Sequence, residues 1–154
     1  MHQPVEPLTA ERIGRALKAM GLKVLVSQDE DGEFLVLFKK DLSAGPMALV
    51  NVALQGSANQ VLAITALVKG HPPMEPAELL ARANEWNTTK RWPRAFVKGG
   101  ELLVDYHLDL EEGVTEAQLR NFLTTAFSGI GQFLLWMEEG DGLEGLLRIL
   151  DLAE

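Results

Sequence analysis

The sequence predicts an α+β protein, in which an antiparallel sheet is flanked by helices in the order α-ββββ-α-ββ-α. Three observations lead to this prediction. Apolar residues recur at helical spacing near both ends of the chain and in its middle, six other segments are rich in strand-forming residues, and clusters of Gly, Asp, Asn and Pro separate them. The 154 residues show no linker and no repeat, so we expect a single domain over 1–154.

The first half of the chain is expected to form one helix and two hairpins. Thr9 is suited to cap a helix over 9–20, and Gly21 is suited to end it. Beyond Gly21 the apolar period becomes two and β-branched residues become frequent, which favours strands over further helical turns. The predicted strands are 23–27, 33–40, 47–55 and 61–69, with turn residues at 29–32 and 56–60.

The middle of the chain is expected to form a helix and a third hairpin. Pro76 suits the first turn of a helix that continues over 77–86. Strands over 94–110 then turn at Gly99 and Gly100, and the second of these strands alternates apolar and polar residues.

The last part of the chain has the strongest helical pattern. Thr115 and Gln118 form a capping box, and apolar residues follow at helical spacing as far as Met137. Gly129 and Gly131 lie inside this helix, where each costs about 1 kcal/mol relative to alanine, so we expect another backbone to pack closely there. Residues 142–152 are expected to form a short additional helix within an acidic tail over 138–154.

The two strands 47–55 and 61–69 are apolar on both faces, although a sheet that faces water normally alternates apolar and polar residues. Leu49, Asn51 and Leu67 lie on the second, mostly apolar face. Either helices cover both faces, or a second subunit or a partner protein covers one of them. Because two-fold dimers are the commonest oligomers, the sequence favours a homodimer.

The composition argues against several classes of function. With 14 basic against 22 acidic residues, the net charge is −8, which disfavours direct binding to nucleic acid or to an anionic membrane. The absence of cysteine removes disulfides and thiolate chemistry. Apolar runs of about eight residues are too short to cross a bilayer, and the first nine residues do not resemble a signal peptide, so the cytoplasm is the expected location.

No arrangement of residues predicts an enzyme, a metal site or a cofactor site. Asp105, His107 and Asp109 share one strand face at steps of about 6.6 Å, but a metal would need ligands from other elements too, so a solvated strand face is the favoured interpretation. The acidic segment 29–33 lacks the complete calcium-loop pattern, and the glycines around 129–131 lack the setting of a phosphate loop.

One basic island stands out in this acidic chain. Trp92 lies among Lys90, Arg91, Arg94 and Lys98. Trp and Arg often dominate the energy of protein interfaces, so Arg91, Trp92 and Arg94 are candidates for binding a carboxylate-rich segment of a partner. The alternative is a loop whose basic groups neutralise nearby acids while Trp92 packs over the sheet, and the sequence favours this second interpretation.

The region from 83 onward resembles the YbjN family of bacterial proteins. The resemblance lies in Asn84-Glu85-Trp86-Asn87, in Ala95-Phe96-Val97, in the strand that begins Gly100-Glu101-Leu102, in the break at Gly113 and in the Phe-rich closing helix. It extends over a core of 9–137, and the acidic tail has no counterpart in it.

The resemblance implies a fold similar to type III secretion chaperones, a dimer, and no known active site. Members of the family are labelled sensory-transduction regulators and are associated with stress responses. Asn84, Trp86 and Asn87 are then expected to be structural, with the Asn side chains capping the helix end and Trp86 filling the core.

The leading hypothesis is therefore a non-enzymatic adaptor or chaperone-like homodimer that holds a segment of another protein. Its acidic charge would favour a basic client, which could itself be a nucleic-acid-binding protein. The alternative is a regulatory domain that binds a small molecule between the sheet and the long helix, near Phe127, Phe133 and Trp136. An enzyme built on the row Asp105, His107 and Asp109 is the third hypothesis.

Overall fold

The computed structural model describes residues 4–28, 33–39 and 45–153. Within these ranges three helices and six strands follow in the predicted order, which confirms the α+β fold class. The predicted turn at 29–32 lies outside the described residues. The elements are α1 (Ala10–Ala19), β1 (Lys23–Gln28), β2 (Glu33–Lys39), β3 (Met47–Gln55), β4 (Val61–Lys69), α2 (Pro76–Thr89), β5 (Arg94–Lys98), β6 (Glu101–Asp109) and α3 (Glu116–Ala153).

All six strands belong to one antiparallel sheet with the order β1-β2-β3-β4-β6-β5. The last hairpin is inserted with β6 beside β4, which leaves β5 at the edge. The five residues of β5 pair only with 101–105 of β6. Residues 106–109 of β6 therefore have no strand beside them on that side within the described chain.

The helices pack on one face of the sheet. One row of side chains across that face is apolar on every strand, and Val36, Val50, Ala66 and Val104 are fully buried in it. Helices α1, α2 and α3 bury their apolar stripes in the same core. We call this the helix face of the sheet, and we call the opposite one the open face.

The predicted helix starts are confirmed. The Thr9 hydroxyl accepts a hydrogen bond from the backbone N–H of Arg12 at 3.2 Å. At the start of α3, Thr115 and Gln118 form the reciprocal capping box, with both backbone N–H groups donating to the other residue's side chain at 3.0 Å. These contacts satisfy N–H groups that have no partner within the first turn of a helix.

The prediction of a separate short helix over 142–152 is wrong, because the backbone of α3 continues without a break to Ala153. No proline interrupts this stretch. Glycine weakens a helix by only about 1 kcal/mol per residue and does not end one by itself. The side chains of 139–153 lie outside the described residues.

The two glycines inside α3 are expected to respond oppositely to substitution. A Cβ at Gly129 would lie 2.9 Å from Cδ of Pro93, whereas a Cβ at Gly131 would meet the Phe38 ring at an ordinary 3.5 Å. We expect Gly129→Ala to lower the free energy of unfolding by about 1–3 kcal/mol, since the rigid proline ring must move. We expect Gly131→Ala to raise it by up to about 1 kcal/mol.

Urea unfolding of the two variants beside the unsubstituted protein measures this difference directly. Both glycines lie close together in α3, and both are changed to alanine, so the two variants differ only in the position of the added methyl group. Equal changes in stability would contradict the close contact between α3 and Pro93.

Candidate partner-binding surface

The end of α2 is tied to β5 by Trp86 and Asn87. Trp86 is 1% exposed, and its indole N–H donates to the carbonyl of Pro93 at 2.8 Å. The Asn87 side chain donates to the carbonyl of Ala95 and accepts from its N–H, both at 2.8 Å, as a neighbouring strand would do. The segment that carries Trp92 is thereby fixed at its exit into β5.

These contacts differ in part from the predicted cap at the helix end. The amide of Asn87 binds β5, and the last carbonyls of α2 accept instead from the hydroxyls of Thr88 and Thr89 and from the N–H of Lys90. Asn84 is exposed on α2, and no hydrogen bond of its side chain is found within the described residues.

The open face carries a continuous apolar row across five strands. The strand registers place these side chains next to one another, and each is half-buried. We call this set the leucine row: Leu37, Leu49, Leu67, Leu103 and Phe96. None of them belongs to the core beneath the helices. The prediction that the central strands are apolar on both faces is confirmed.

A mixed row runs beside the leucine row, one step along the strands. It consists of Leu35, Asn51, Thr65, Asp105 and Arg94 in order across the sheet. Here the face changes from apolar on β2 to charged at the β5 edge.

Charged side chains lie on both sides of these two rows. Beyond the leucine row are Lys39, Lys69, Glu101 and Lys98. The Lys69 ammonium lies 2.7 Å from the Glu101 carboxylate. On the other side of the mixed row Glu33 and His107 flank two small residues, Ala53 and Ala63. The open face is therefore an apolar strip bounded by charges of both signs.

Arg94 and Asp105 form the strongest polar contact of the open face. Arg94 donates from Nε and Nη2 to the two carboxylate oxygens of Asp105 at 2.9 and 2.6 Å, a bidentate pair. The hydrogen bond and the charge of Asp105 raise the pKa of Arg94 above its already high ordinary value, so the guanidinium stays charged. Asp105 is only 8% exposed, whereas the Arg94 side chain is 65% exposed and can contact a ligand as well.

A groove of about 520 Å³ lies where the sheet edge meets this pair. Its lining includes Arg91, Trp92, Arg94, Tyr106 and His107. The Trp92 ring is 41% exposed and stands edge-to-face against Tyr106, with centroids 6.1 Å apart. Burial raises the pKa of the Tyr106 phenol above its ordinary value, so the hydroxyl stays protonated at neutral pH and can donate a hydrogen bond. We call this the Trp92 groove.

The structure brings the predicted partner-binding residues onto one connected surface. Leu49, Leu67, Asn51 and Arg94 occupy neighbouring rows of the open face, and Arg91 and Trp92 continue it at the β5 edge. Sequence reasoning missed Leu37, Leu103 and Phe96, since each of these strands was considered by itself. Only the pairing of β6 between β4 and β5 shows that they complete the row.

The row Asp105, His107 and Asp109 occupies one strand face, as the alternation predicts. Asp105 is engaged by Arg94, and the imidazole Nε2 of His107 lies 3.8 Å from the same carboxylate. No group of His, Asp or Glu that could hold a metal ion occurs among the described residues.

The aromatic residues of the small-molecule hypothesis do not share a site. Phe133 is fully buried and packs against the rings of Trp86 and Trp136 at 4.9 and 5.6 Å. Phe127 and Trp136 line two different grooves. Phe133 and Trp136 pack against each other and against Trp86, whereas Phe127 packs against Phe38.

Fold and surface together define a class: α+β proteins whose single antiparallel sheet has helices on one face and an apolar strip on the other. Within that class, this chain belongs to the YbjN family. Residues 9–139 match the family described as "Putative bacterial sensory transduction regulator". The resemblance inferred from the sequence is confirmed.

A solved structure shares this fold. It is described as "Crystal structure of YbjN, a putative transcription regulator from E. coli", and it is similar to this chain with a TM-score of 0.62 and 15% sequence identity. The alignment covers 86% of this chain and 92% of that one. No curated relative matches the sequence. Among the described residues, no helix is both long and apolar enough to span a membrane.

Proposed function

We propose that this chain is a homodimeric, non-enzymatic regulator that acts as an adaptor by holding a segment of another protein. The observation that carries the proposal is the Trp92 groove. An exposed tryptophan between two arginines, at a sheet edge where β6 lacks a neighbour within the described chain, has the composition of a protein-binding site rather than of a catalytic one. The family's description as a regulator agrees with this function.

The charges of the Trp92 groove favour a partner segment that carries carboxylates. Arg91 and Arg94 face it with two positive charges, and Asp105 balances only one of them. An extended segment can lie along the free part of β6, in the manner of an added strand, while one apolar side chain contacts the Trp92 ring. The basic client expected from the net charge would have to bind elsewhere on the acidic surface, and it stays a prediction.

A regulator of this kind influences transcription only through its partners. The net charge of −8 disfavours direct contact with DNA. The E. coli protein that shares this fold is described as a transcription regulator. If this chain also acts on gene expression, a bound protein has to provide the contact with nucleic acid. We place this activity in the cytoplasm, in a bacterial stress or regulatory context.

Peptide binding tests the groove. We expect a fluorescein-labelled nonapeptide of Asp and Glu with a central leucine to bind the protein, and its lysine counterpart not to bind. Trp92→Ala is expected to weaken the acidic peptide about tenfold or more, and Arg91→Ala to weaken it several-fold. Binding should also weaken as salt rises, because the charges are exposed.

Leu80→Ala is the matched control. Leu80 is an exposed apolar residue of α2, away from the groove, and its substitution should leave peptide affinity unchanged. If the lysine peptide binds as well as the acidic one, or if Trp92→Ala binds like the unsubstituted protein, the proposed site is wrong.

A second candidate function, a ligand-binding regulatory domain, is favoured by a different cavity. A groove of about 670 Å³ lies between α1 and the β1–β2 edge. Its lining combines apolar Leu22, Val24 and Phe34 with basic Arg15 and Lys18 and with one acidic residue, Glu11. This volume lies in the range of small-molecule sites. A carboxylate amphiphile such as dodecanoate should then raise the melting temperature by mass action, and an unchanged Tm at millimolar dodecanoate would exclude this class of ligand.

A further inference from the structure

We propose that the open face is the surface on which a second copy of this chain docks, with the two-fold axis parallel to the strands and running between β3 and β4. This inference rests on the proposed homodimer and names its interface and arrangement. It leaves Arg91, Trp92 and the backbone edge of β6 at the outer side of each copy, whereas the side chains of Asp105 and His107 face the partner subunit.

The size of the open face suits such an interface. Strands about 4.8 Å apart and residue rows about 6.6 Å apart give the four overlapping strands β2, β3, β4 and β6 and their four rows a plane of about 500 Å² per copy. Two copies would then bury about 1,000 Å², about the least area expected of a specific interface. The leucine row crosses the middle of this area and provides its apolar centre.

The leucine row is symmetric about the line between β3 and β4. Leu49 and Leu67 are register partners on either side of that line, and Leu37 and Leu103 follow at the next strand on each side. A two-fold rotation about the line exchanges β3 with β4 and β2 with β6. It therefore lays Leu49 over Leu67 of the partner subunit and Leu37 over Leu103 of the partner subunit, as a self-complementary interface requires.

The charged rows are complementary under the same rotation. Lys39 comes to lie over Glu101 of the partner subunit, and Glu33 over His107 of the partner subunit. Ala53 meets Ala63 of the partner subunit, so the backbones can approach closely there. The pairing of Lys39 with Glu101 places opposite charges beside the apolar centre, whereas Leu35 comes to lie over Asp105 of the partner subunit, whose carboxylate is already neutralised by Arg94.

Rotation about an axis along the residue rows would be a worse arrangement. Centred between the leucine row and the mixed row, it would lay Leu49 over Asn51, Leu67 over Thr65 and Leu103 over Asp105 of the partner subunit. Apolar side chains would then cover polar ones, which lose hydrogen bonds to water without replacement. An axis along the leucine row itself would keep each leucine on its own copy, but it would lay Asp105 over Glu101 and Arg94 over Lys98 of the partner subunit, so that like charges meet.

Asn51 and Thr65 fix the register of the proposed dimer. They are neighbours across β3 and β4, and the rotation sets the amide of each Asn51 opposite the hydroxyl of Thr65 of the partner subunit. Two equivalent hydrogen bonds form only when the sheets are aligned, and a shifted pairing leaves these groups unsatisfied. Because these hydrogen bonds lie beside the leucine row, they favour a single alignment of the two sheets.

Sedimentation equilibrium tests the interface with a matched pair of substitutions. We expect the unsubstituted protein to be a dimer. Leu67→Glu should raise the dimer dissociation constant by at least about a hundredfold, because each dimer would bury two carboxylates without partners. Leu80→Glu puts the same charge on exposed α2 and should leave the dimer intact. Far-UV circular dichroism shows that both variants are folded.

Cross-linking gives a second test, which holds even if Leu67→Glu does not fold. The chain has no cysteine, so Asn51→Cys and Thr65→Cys can be prepared as separate proteins and mixed. Because stacked sheets lie about 10 Å apart, which is too far for a direct disulfide, a short bismaleimide cross-linker is used, and it should give a covalent dimer of one chain of each kind in high yield. A mixture of Leu80→Cys with Thr65→Cys is the control and should stay uncoupled.

The possible outcomes separate the interface from the dimer itself. If Leu67→Glu stays dimeric and the cysteine mixture does not couple, the open face is not the interface, although the protein is still a homodimer. If the unsubstituted chain is monomeric at tens of micromolar, both the interface and the proposed dimer are wrong. Binding of the acidic peptide is measured independently and decides the adaptor function.

Discussion

Arg12→Leu is expected to lower the free energy of unfolding by about 2–4 kcal/mol, because a buried guanidinium with several partners is lost. Arg12 is 4% exposed on α1, in a position that would otherwise suit an apolar residue. Its Nη1 donates to the carbonyls of Glu6 and Pro7 at 2.7 and 2.8 Å. Its Nη2 donates to the carbonyl of Val114 at 2.7 Å, and its Nε donates to Glu116.

These contacts join the N-terminal segment and α1 to the loop before α3, which lies about 100 positions further along the chain. Glu6 and Val114 form an isolated antiparallel bridge, and Arg12 binds the carbonyls of both. Without it, the N-terminal segment and the loop before α3 lose their common anchor, and these carbonyls lose a charged donor. The leucine cannot replace either role, so the bridge should open together with the loss of stability.

Arg15→Leu is the control, since Arg15 lies on the same helix and contacts the same Glu116 at 3.8 Å. Its side chain is 63% exposed, and such surface ion pairs contribute less than about 1 kcal/mol. Urea unfolding measures both variants, and hydrogen exchange at the N–H groups of Glu6 and Val114 should become faster only in Arg12→Leu. Equal losses of stability in the two variants would show that burial of Arg12 is unimportant.

Local sequence patterns predicted most elements of this fold because local forces determine them. The helical stripes, the turn residues and the Thr115–Gln118 box depend on neighbours a few positions apart, and the structure confirms them. The position of β6 between β4 and β5 depends on contacts far apart in sequence, so no local period shows it. The burial of Arg12 is of the same kind, since its acceptors lie up to 104 positions away.

The candidate surface was predictable in composition but not in extent. Alternation along β3 and β4 placed Leu49, Asn51 and Leu67 on the second face before any register was known. The role of Asn87 could not be predicted, because its side-chain amide hydrogen-bonds to the backbone of Ala95 at the outer edge of β5 rather than to its own helix. The continuity of α3 was missed because glycines that commonly end a helix here do not.

Trp86→Ala is expected to cost about 3–5 kcal/mol of stability, the range for an aromatic side chain removed from a core. Trp86 is almost fully buried between Phe133 and Trp136, with ring centroids 4.9 and 5.4 Å away. Urea unfolding measures the loss, provided that the slope of the unfolding free energy against urea concentration is the same in both proteins. A cost below about 1 kcal/mol would contradict the packing.

Trp86→Phe separates the packing of this residue from its role in the groove. It keeps an aromatic ring in the cluster but removes the N–H that donates to the buried carbonyl of Pro93, next to Trp92. We expect a loss of about 1–3 kcal/mol and several-fold weaker binding of the acidic peptide. Phe133→Leu disturbs the same cluster without touching Pro93, so it should lower stability and leave peptide affinity unchanged. If both variants bind the peptide alike, Trp86 serves the core alone, and the Trp92 segment is held in place by other contacts, among them the close approach of Gly129.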